Sequence, residues 1–344
     1  MNPLALSRSR HGVLVECLER QAEPVARSSR FILYGLGSRQ ETALCPNDVV
    51  VVHDFSPAQI DNNIGYYVAN ELLPLFRGSR FADEAEGYAY SEQDIFERYV
   101  GEIVRSIDGN ERRAWHLYYD NTLAALRRVP PEWSDAMVPP AAAQQDFIGD
   151  FGAIYRRAID LIAELPGATV LDVATCFGFL PLLLATERRG QRDDPGDIVG
   201  CDLNPALVGL ADDYARHRRL RNVRFVRADI LAVDVGRELA PSPARFDVVT
   251  ALHLLEHLEP EQTGAAVANL WRLAARRLIV AVPLEETPDP RFGHRQVFDR
   301  ERLLAVGRAL GGRQDYFDFH GGWLVVDRRD RVSPSEPAST TTTD

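Results

Sequence analysis

The chain has 344 residues, of which 45% are hydrophobic and 26% are charged, as in soluble globular proteins with one large or two ordinary domains. Its net charge of −11 argues against a protein whose main task is to bind nucleic acid, because that task needs a phosphate-neutralising surface. Apolar runs of membrane-spanning length, a signal peptide and CxxC pairs are absent from the sequence, so we expect a cytoplasmic protein without a disulfide framework or a membrane partner.

The first 128 residues predict a separate α+β domain that selects the substrate. Two runs rich in β-branched and aromatic residues are typical of strands, and three segments have the apolar periodicity of amphipathic helices. The predicted strands are "RFILYG" (30–35) and "DVVVVHDF" (48–55), and the predicted helices are "IGYYVANELLPLF" (64–76), "EQDIFERYVGEIVRSI" (92–107) and "RRAWHLYYDNTLAALRR" (112–128).

A Pro- and Ala-rich segment at 129–145 predicts a linker, and the polar tail at 332–344 predicts disorder. Between them, residues 146–331 alternate between apolar strand-like runs and helical patterns, which indicates a second domain with a doubly wound, mostly parallel α/β sheet. The last two runs predict an antiparallel hairpin at its edge. The strands are "GATVLDVA" (167–174), "DIVGCDL" (197–203), "VRFVRADI" (223–230), "RFDVVTAL" (245–252), "RLIVAVP" (277–283), "DYFDFH" (315–320) and "GWLVVDR" (322–328).

The segment "VLDVATCFGFL" (170–180) resembles the first motif of class I S-adenosylmethionine-dependent methyltransferases, which have a Rossmann-like fold. In that family a strand with an acidic residue, here Asp172, leads through a glycine-rich turn into a helix whose N-terminal amides face the cofactor. The family's glycines correspond to Ala174, Cys176 and Gly178, so only the last is present. Alanine and cysteine take positive φ less freely, which implies a differently built turn or a weaker cofactor affinity.

Two further aspartates strengthen the resemblance, because they lie near the carboxyl ends of the second and third predicted strands of this domain. Asp202 corresponds to the carboxylate that binds the cofactor's ribose hydroxyls, and Asp229 to the acidic residue that accepts from the adenine amino group. The resemblance also assigns Leu203, Ile230 and Leu252 to the cofactor site. A nicotinamide-dependent oxidoreductase would share this architecture, but it would need G-x-G-x-x-G after the first strand, and "ATCFGF" lacks that pattern.

"ALHLLEHL" (251–258) contains H-x-x-E-H, the inverted form of a zinc-peptidase signature. Because His253 directly follows a strand, a helical peptidase site is not expected. The segment instead resembles the fourth-strand motif of the same methyltransferases, some of which use E-x-x-E-H to hold a divalent cation. His253, Glu256 and His257 are therefore candidate metal ligands that suit Zn²⁺, Mn²⁺ or Fe²⁺ better than Mg²⁺. The alternative is that Glu256 and His257 only pack and cap this turn.

"RFGHRQVFDRERL" (291–303) resembles the family's loop over the substrate pocket. His294 is a candidate general base, a further metal ligand or a loop anchor, since histidine can take a proton near neutral pH. Glu285, Glu286 and Asp289 precede it and are expected mainly as solvated loop carboxylates.

The resemblance implies a methyltransferase that transfers CH₃ from S-adenosylmethionine to a hydroxyl of a small-molecule or sugar-bearing acceptor, with no expectation for the oligomeric state. We expect His253 to contact the acceptor, His294 to act as the base, and His257 to belong to the catalytic group. The altered motif "LDVATCFGFLPLLL" and the added N-terminal domain are similar to mycofactocin oligosaccharide O-methyltransferases, a narrower group. A catalytically silent, methyltransferase-like scaffold is the alternative, suggested by the two missing glycines.

Overall fold

The structure is a computed structural model that describes residues 5–35, 49–78, 91–129, 146–189, 196–232, 235–239 and 245–329. The predicted linker, apart from its first residue, and the predicted disordered tail lie outside the described residues. Two sheets organise the described chain, one of four strands and one of seven.

The N-terminal part contains the four-stranded mixed sheet, in the order β1-β4-β3-β2. Both strands that the sequence predicts here are present, whereas the short β1 and β2 were not predicted. β1 pairs parallel with β4, and β3 pairs antiparallel with both β4 and β2. The strands are β1 (Ala5–Ser7), β2 (Ala26–Arg27), β3 (Phe31–Gly35) and β4 (Val49–His53).

Helices accompany this sheet, and the three predicted helical segments are confirmed. The first of them is interrupted by one π turn, Val68–Leu72. Two of the helices begin at residues whose side chains accept from a backbone amide, Ser91 and Asn110, which explains where they start. The helices are α1 (Gly12–Gln21), α2 (Asn63–Tyr67), α3 (Leu73–Gly78), α4 (Glu92–Ser106) and α5 (Glu111–Leu126), with a 3₁₀ turn at Pro57–Gln59.

The seven-stranded sheet has the order β10-β11-β9-β8-β5-β6-β7. β5 to β9 run parallel, and β11 pairs antiparallel with both β9 and β10. The predicted doubly wound sheet and its antiparallel edge hairpin are therefore confirmed. The strands are β5 (Val170–Val173), β6 (Ile198–Asp202), β7 (Val223–Arg227), β8 (Phe246–Leu252), β9 (Ala274–Val282), β10 (Arg313–Asp318) and β11 (Gly322–Asp327).

Helices cover this sheet, and the first of them, α6, was not predicted. It buries Ile148, Ile154 and Ile162 along one face. None of the helices in the described parts of the chain has the length and apolar character needed to cross a membrane. The helices are α6 (Phe147–Ala163), α7 (Phe179–Glu187), α8 (Pro205–His217), α9 (Val235–Glu238), α10 (Thr263–Leu273) and α11 (Arg300–Leu310), with 3₁₀ turns at Leu255–His257 and Pro260–Gln262.

One hydrophobic cluster joins the N-terminal part to the large sheet. It includes Phe31 from β3, Tyr118 from α5, Phe179 from α7 and Trp323 from β11, all buried. The N-terminal helices therefore pack against one face of the large sheet, and a second cluster fills its other face. The predicted domain boundary at residue 128 stays a prediction.

Arg277 on β9 is a buried cation that ties the large sheet together, with a side chain only 8% exposed. It donates to Glu164 after α6 at 2.6 Å, to Asp327 on β11 at 2.7 Å and to the carbonyl of Leu161 at 2.7 Å. Arg313 binds the same Asp327 carboxylate at 2.9 Å, but its side chain is 79% exposed.

We predict that Arg277→Ala lowers the free energy of unfolding by about 3–5 kcal/mol, because it leaves a half-buried carboxylate without its main partner. Arg313→Ala is the matched control and should cost at most about 1 kcal/mol, as expected of a solvent-exposed ion pair. Equilibrium guanidinium denaturation of the two variants measures both effects. Equal losses would contradict this account of the sheet.

Candidate active site

The candidate site lies at the carboxyl ends of the parallel strands, at the point where the strand order changes direction. β5 lies between β6 and β8, so the chain runs outward from β5 through β6 and β7 on one side, and through β8 and β9 on the other. Sheets of this kind bind ligands in the crevice at such a reversal. All the predicted site residues lie at the ends of these five strands or in the loops that follow them.

The turn after β5 takes the left-handed backbone conformation at alternate positions. Ala174 has φ 58°, Cys176 has φ 51° and Gly178 has φ 73°. The two residues that stand in place of glycines therefore adopt a conformation that costs an L-residue about 1–2 kcal/mol. At Gly178 a Cβ atom would also lie 2.4 Å from the ring of Phe225, so glycine is required there. The turn thus keeps positive φ angles at the cost of strain at Ala174 and Cys176.

Asp172 binds the turn to the neighbouring strand. Asp172 is 5% exposed, and its two carboxylate oxygens accept hydrogen bonds from the hydroxyls of Thr175 and Thr250, each at 2.6 Å. Burial raises the pKa of Asp172 to about 6, although both hydroxyl donors act in the opposite direction. Asp172 therefore fixes the turn relative to β8, and its oxygens face protein hydroxyls.

Asp202 and Asp229 hold the loops that follow β6 and β7. Asp202 Oδ2 accepts from the amide of Cys176 at 2.8 Å, and its Oδ1 accepts from the amide of Asn204 at 2.9 Å. Asp229 Oδ1 accepts from the amide of Leu231 at 2.8 Å. Both aspartates are partly exposed, and a carboxylate oxygen can accept a second hydrogen bond. Each of them can therefore support a loop and also bind a ligand.

The three apolar residues assigned to the cofactor differ in exposure. Ile230 and Leu252 are buried, whereas Leu203 is 58% exposed beside Asp202. An exposed leucine at this position is available to pack against a ligand.

His253 begins the loop after β8 in a strained conformation, with φ 57°. Its amide donates to the carbonyl of Ala281 at 2.9 Å, and its ring meets that of Phe151 edge to face, with centroids 5.8 Å apart. Its Nδ1 lies 3.0 Å from Glu256 Oε1, an ion-pair distance. The Nε2 atom is buried and has no hydrogen-bond partner among the described residues. The strained backbone and this nitrogen mark His253 as a functional candidate.

Glu256 is a buried carboxylate with an exposure of 1%. Despite the short distance to His253, neither of its oxygens makes a hydrogen bond of acceptable geometry within the described residues. Burial acts to raise the pKa of Glu256, but the influence of His253 and His257 outweighs it, so that the pKa is lowered. The side chain is thus a desolvated carboxylate that favours its ionised form.

Glu256, His257 and His294 form the one group of potential metal ligands found within the described ranges, with ligand atoms all within 4.8 Å of one another. The rings of His257 and His294 meet edge to face at 5.0 Å. The sequence suggested His253, Glu256 and His257 as metal ligands and His294 as a possible further one. The structure brings His294 together with Glu256 and His257, while His253 lies beside Glu256 and outside this group. Two imidazoles and a carboxylate are a donor set suited to Zn²⁺, Mn²⁺ or Fe²⁺.

Several residues of the site were missed or underrated by sequence reasoning. Glu285, expected to be solvated, binds His294 Nδ1 through Oε2 at 2.8 Å. Asp289 instead binds Arg291 on the same loop, and Glu286 is exposed. Phe151 belongs to the unpredicted helix α6, whose apolar periodicity was available in the sequence. No sequence pattern indicates the hydrogen bond between Glu285 and His294, because it depends on the loop conformation.

The chain is similar to known methyltransferases. A family profile described as "Methyltransferase domain" matches residues 170–276. The demethylmenaquinone methyltransferase of Thermus thermophilus is 34% identical over 164 residues, which cover 46% of this chain and 66% of that protein. The ubiquinone biosynthesis O-methyltransferase of Paraburkholderia phymatum is 29% identical over 123 residues, which cover 35% of this chain and 47% of that protein. The chain therefore spans about half to two thirds of the length of these two relatives.

Among solved structures, magnesium protoporphyrin IX methyltransferase from Synechocystis PCC 6803 with bound SAH aligns at 19% identity and a TM-score of 0.40. The alignment covers 58% of this chain and 94% of that one.

The profile match, the strand order and the turn after β5 together define the class of protein: residues 170–276 form a methyltransferase domain. This match supports the class I S-adenosylmethionine-dependent methyltransferase family that the sequence motifs resemble. The match agrees with the resemblance found in the sequence, and the strand order confirms the predicted Rossmann-like fold. The narrower resemblance to mycofactocin oligosaccharide O-methyltransferases stays a prediction.

We predict that Ala174→Gly raises the free energy of unfolding by about 0.5–1 kcal/mol. Relief of the left-handed strain should exceed the entropy that an added glycine gains in the unfolded chain. Ala268→Gly, at an exposed position of α10, is the control and should lower stability by about 1 kcal/mol. Urea denaturation distinguishes the opposite signs, and a loss in both variants would refute the strain at Ala174.

Proposed function

We propose that this chain is an S-adenosylmethionine-dependent O-methyltransferase that acts on a hydroxyl of a small-molecule or glycan acceptor, with a divalent cation bound by Glu256, His257 and His294. The observation that carries the proposal is the buried carboxylate of Glu256, which lacks hydrogen-bond donors among the described residues and adjoins three histidines. The free cysteines, of which Cys17 and Cys176 are exposed, suit a reducing compartment, which supports the predicted cytoplasmic location.

A desolvated carboxylate is costly unless an opposite charge compensates it. Removing an ion from water costs several kcal/mol even after the protein relaxes. His253 supplies part of that compensation only when it is protonated. A divalent cation between Glu256 and the two imidazoles would satisfy the carboxylate fully, so the residues present fit such an ion. When bound, the cation would polarise an acceptor hydroxyl and lower its pKa.

The residues proposed to bind the cofactor follow β5, β6 and β7, across the reversal point from Glu256 and the histidines. Gly178 begins α7 without a side-chain cap, so the first amides of this helix can face a cofactor carboxylate. Asp202 would accept from the ribose hydroxyls and Asp229 from the adenine amino group, while Leu203 would pack against the base. Asp172, which is buried and accepts from two protein hydroxyls, would act by holding the turn in shape.

His253 is the proposed proton acceptor for the transfer. With Nδ1 towards Glu256, its buried Nε2 is the nitrogen that can receive a proton from the acceptor. The acceptor oxygen bonds to the methyl carbon, the carbon–sulfur bond breaks with its electron pair left on sulfur, and the hydroxyl proton passes to Nε2. His294, predicted as the base, is assigned to the cation because it belongs to the ligand group.

Aromatic side chains next to His253 support a planar or sugar-like acceptor. Phe151 meets the His253 ring, Phe147 lies 5.9 Å from Phe151, and Phe292 lies 5.8 Å from Phe147, measured between ring centroids. Rings of this kind stack on quinones and on sugars alike. The names of the two relatives both refer to quinones, demethylmenaquinone and ubiquinone, which supports a small-molecule acceptor. The altered turn motif and the N-terminal domain favour the glycan alternative.

We predict that Asp202→Ala weakens binding of S-adenosylhomocysteine by about 10- to 150-fold. The variant loses the hydrogen bonds from the ribose hydroxyls to the carboxylate, and hydrogen bonds to a charged group contribute about 1.5–3 kcal/mol. Asp212→Ala, on the surface of α8 and paired with Arg216, is the control and should bind normally. Isothermal titration calorimetry measures both affinities. Unchanged affinity in Asp202→Ala would contradict the role of Asp202 in cofactor binding. If the wild-type protein did not bind S-adenosylhomocysteine, the catalytically silent scaffold would be favoured.

We predict that Glu256→Gln lowers Mn²⁺ or Zn²⁺ affinity at least about 100-fold and reduces methyl transfer, because it removes the only carboxylate of the ligand group. Glu261→Gln, at an exposed position of the following 3₁₀ turn, is the control. Bound metal is measured after equilibrium dialysis, and activity after chelation and readdition of the cation. Stoichiometric metal in Glu256→Gln would contradict the proposed cation site.

A further inference from the structure

Glu285 and His294 form a carboxylate–histidine pair at the edge of the candidate cation site. Glu285 Oε2 lies 2.8 Å from His294 Nδ1, and the side chains are 25% and 6% exposed, respectively. A carboxylate at this distance binds the Nδ1–H tautomer, which leaves the lone pair of His294 on Nε2. His294 contributes one ligand atom to the group with Glu256 and His257.

The loop after β9 is shaped so that residues nine positions apart meet. The amide of His294 donates to the carbonyl of Asp289 at 3.1 Å, and the preceding Gly293 has φ 75°. A Cβ atom at Gly293 would lie 2.1 Å from the Gln93 side chain, so the loop also passes close to α4. These contacts place His294 beside Glu285, and the residues that follow His294 contact the turn that contains Glu256.

The same loop is fastened directly to the turn that carries the other ligands. The amides of Arg295 and Gln296 both donate to the carbonyl of Glu256, at 2.7 and 3.3 Å. The buried Gln296 side chain donates to the carbonyls of Leu255 and Leu258, at 2.7 and 2.9 Å. These contacts fix the position of His294 relative to Glu256, and Glu285 is the hydrogen-bond partner that sets the tautomer of its ring.

We infer that Glu285 is a positioning residue for the cation site: it holds His294 in the Nδ1–H tautomer so that Nε2 faces Glu256 and His257. Carboxylate partners of this kind orient metal-binding histidines, make them better donors, and typically contribute about 10- to 100-fold to metal affinity. The inference rests on the proposed cation site. It assigns to Glu285 a role through His294, without contact with the cation.

Co²⁺ binding to the full-length protein tests this role, because the visible absorption of Co²⁺ reports its ligands as well as its affinity. The variant is Glu285→Ala. The matched control is Glu286→Ala, because Glu286 is the next residue in the chain and its side chain is exposed. We expect Glu285→Ala to bind Co²⁺ about 10- to 100-fold more weakly with an unchanged absorption spectrum at saturation. Its S-adenosylhomocysteine affinity and metal-free melting temperature should equal those of the wild type.

Other outcomes would overturn the inference in distinguishable ways. Equal Co²⁺ affinity in Glu285→Ala and Glu286→Ala would exclude a positioning role while leaving the cation site intact. A changed spectrum would make Glu285 a direct ligand. A lower metal-free melting temperature or weaker S-adenosylhomocysteine binding would make its role structural. Failure of the wild-type protein to bind Co²⁺ would overturn both the inference and the cation site on which it rests.

Discussion

The contact of Asp172 with Thr175 and Thr250 is the interaction on which the organisation of the site depends. It lies where the sheet reverses its strand order, and it joins the turn after β5 to β8 with two short hydrogen bonds from hydroxyls. Because the carboxylate is buried, these donors compensate for the water it has lost. The same turn is held on its other side by Asp202, which accepts from the amide of Cys176. A strained turn that lacks two of its usual glycines is thus held both by Asp172 and by Asp202.

The two sides of the reversal point have different chemistry. On the β6 and β7 side, partly exposed aspartates and an exposed leucine suit a nucleoside. On the β8 and β9 side, a buried glutamate, three histidines and aromatic rings suit a cation and the acceptor. In-line methyl transfer needs the donor and the nucleophile to be held side by side with water excluded. On the β8 and β9 side, α6 contacts this region through Phe151, whose ring meets that of His253.

The sequence predicted the large sheet and the location of its site well, because parallel strands bring residues that are distant in the chain to one edge. Asp202, Asp229 and His253 could each be found by looking at strand ends. The sequence marked Ala174 and Cys176 as positions where the family has glycine and suggested a differently built turn, but both residues keep the left-handed backbone, which intrinsic preference disfavours and tertiary contacts impose. The pairing of Glu285 with His294 was hidden, because it depends on the path of an irregular loop. By contrast, α6 was missed although its apolar spacing was visible.

The central claim is that one crevice at the reversal point binds the methyl donor beside a cation held by Glu256, His257 and His294. A crystal structure with S-adenosylhomocysteine and Mn²⁺, with anomalous data collected for the metal, tests it most directly. The account predicts a nucleoside against Asp202 and a single anomalous peak bonded to Glu256 and the two histidines. A peak elsewhere, no peak at saturating Mn²⁺, or a nucleoside bound away from Asp202 would contradict it.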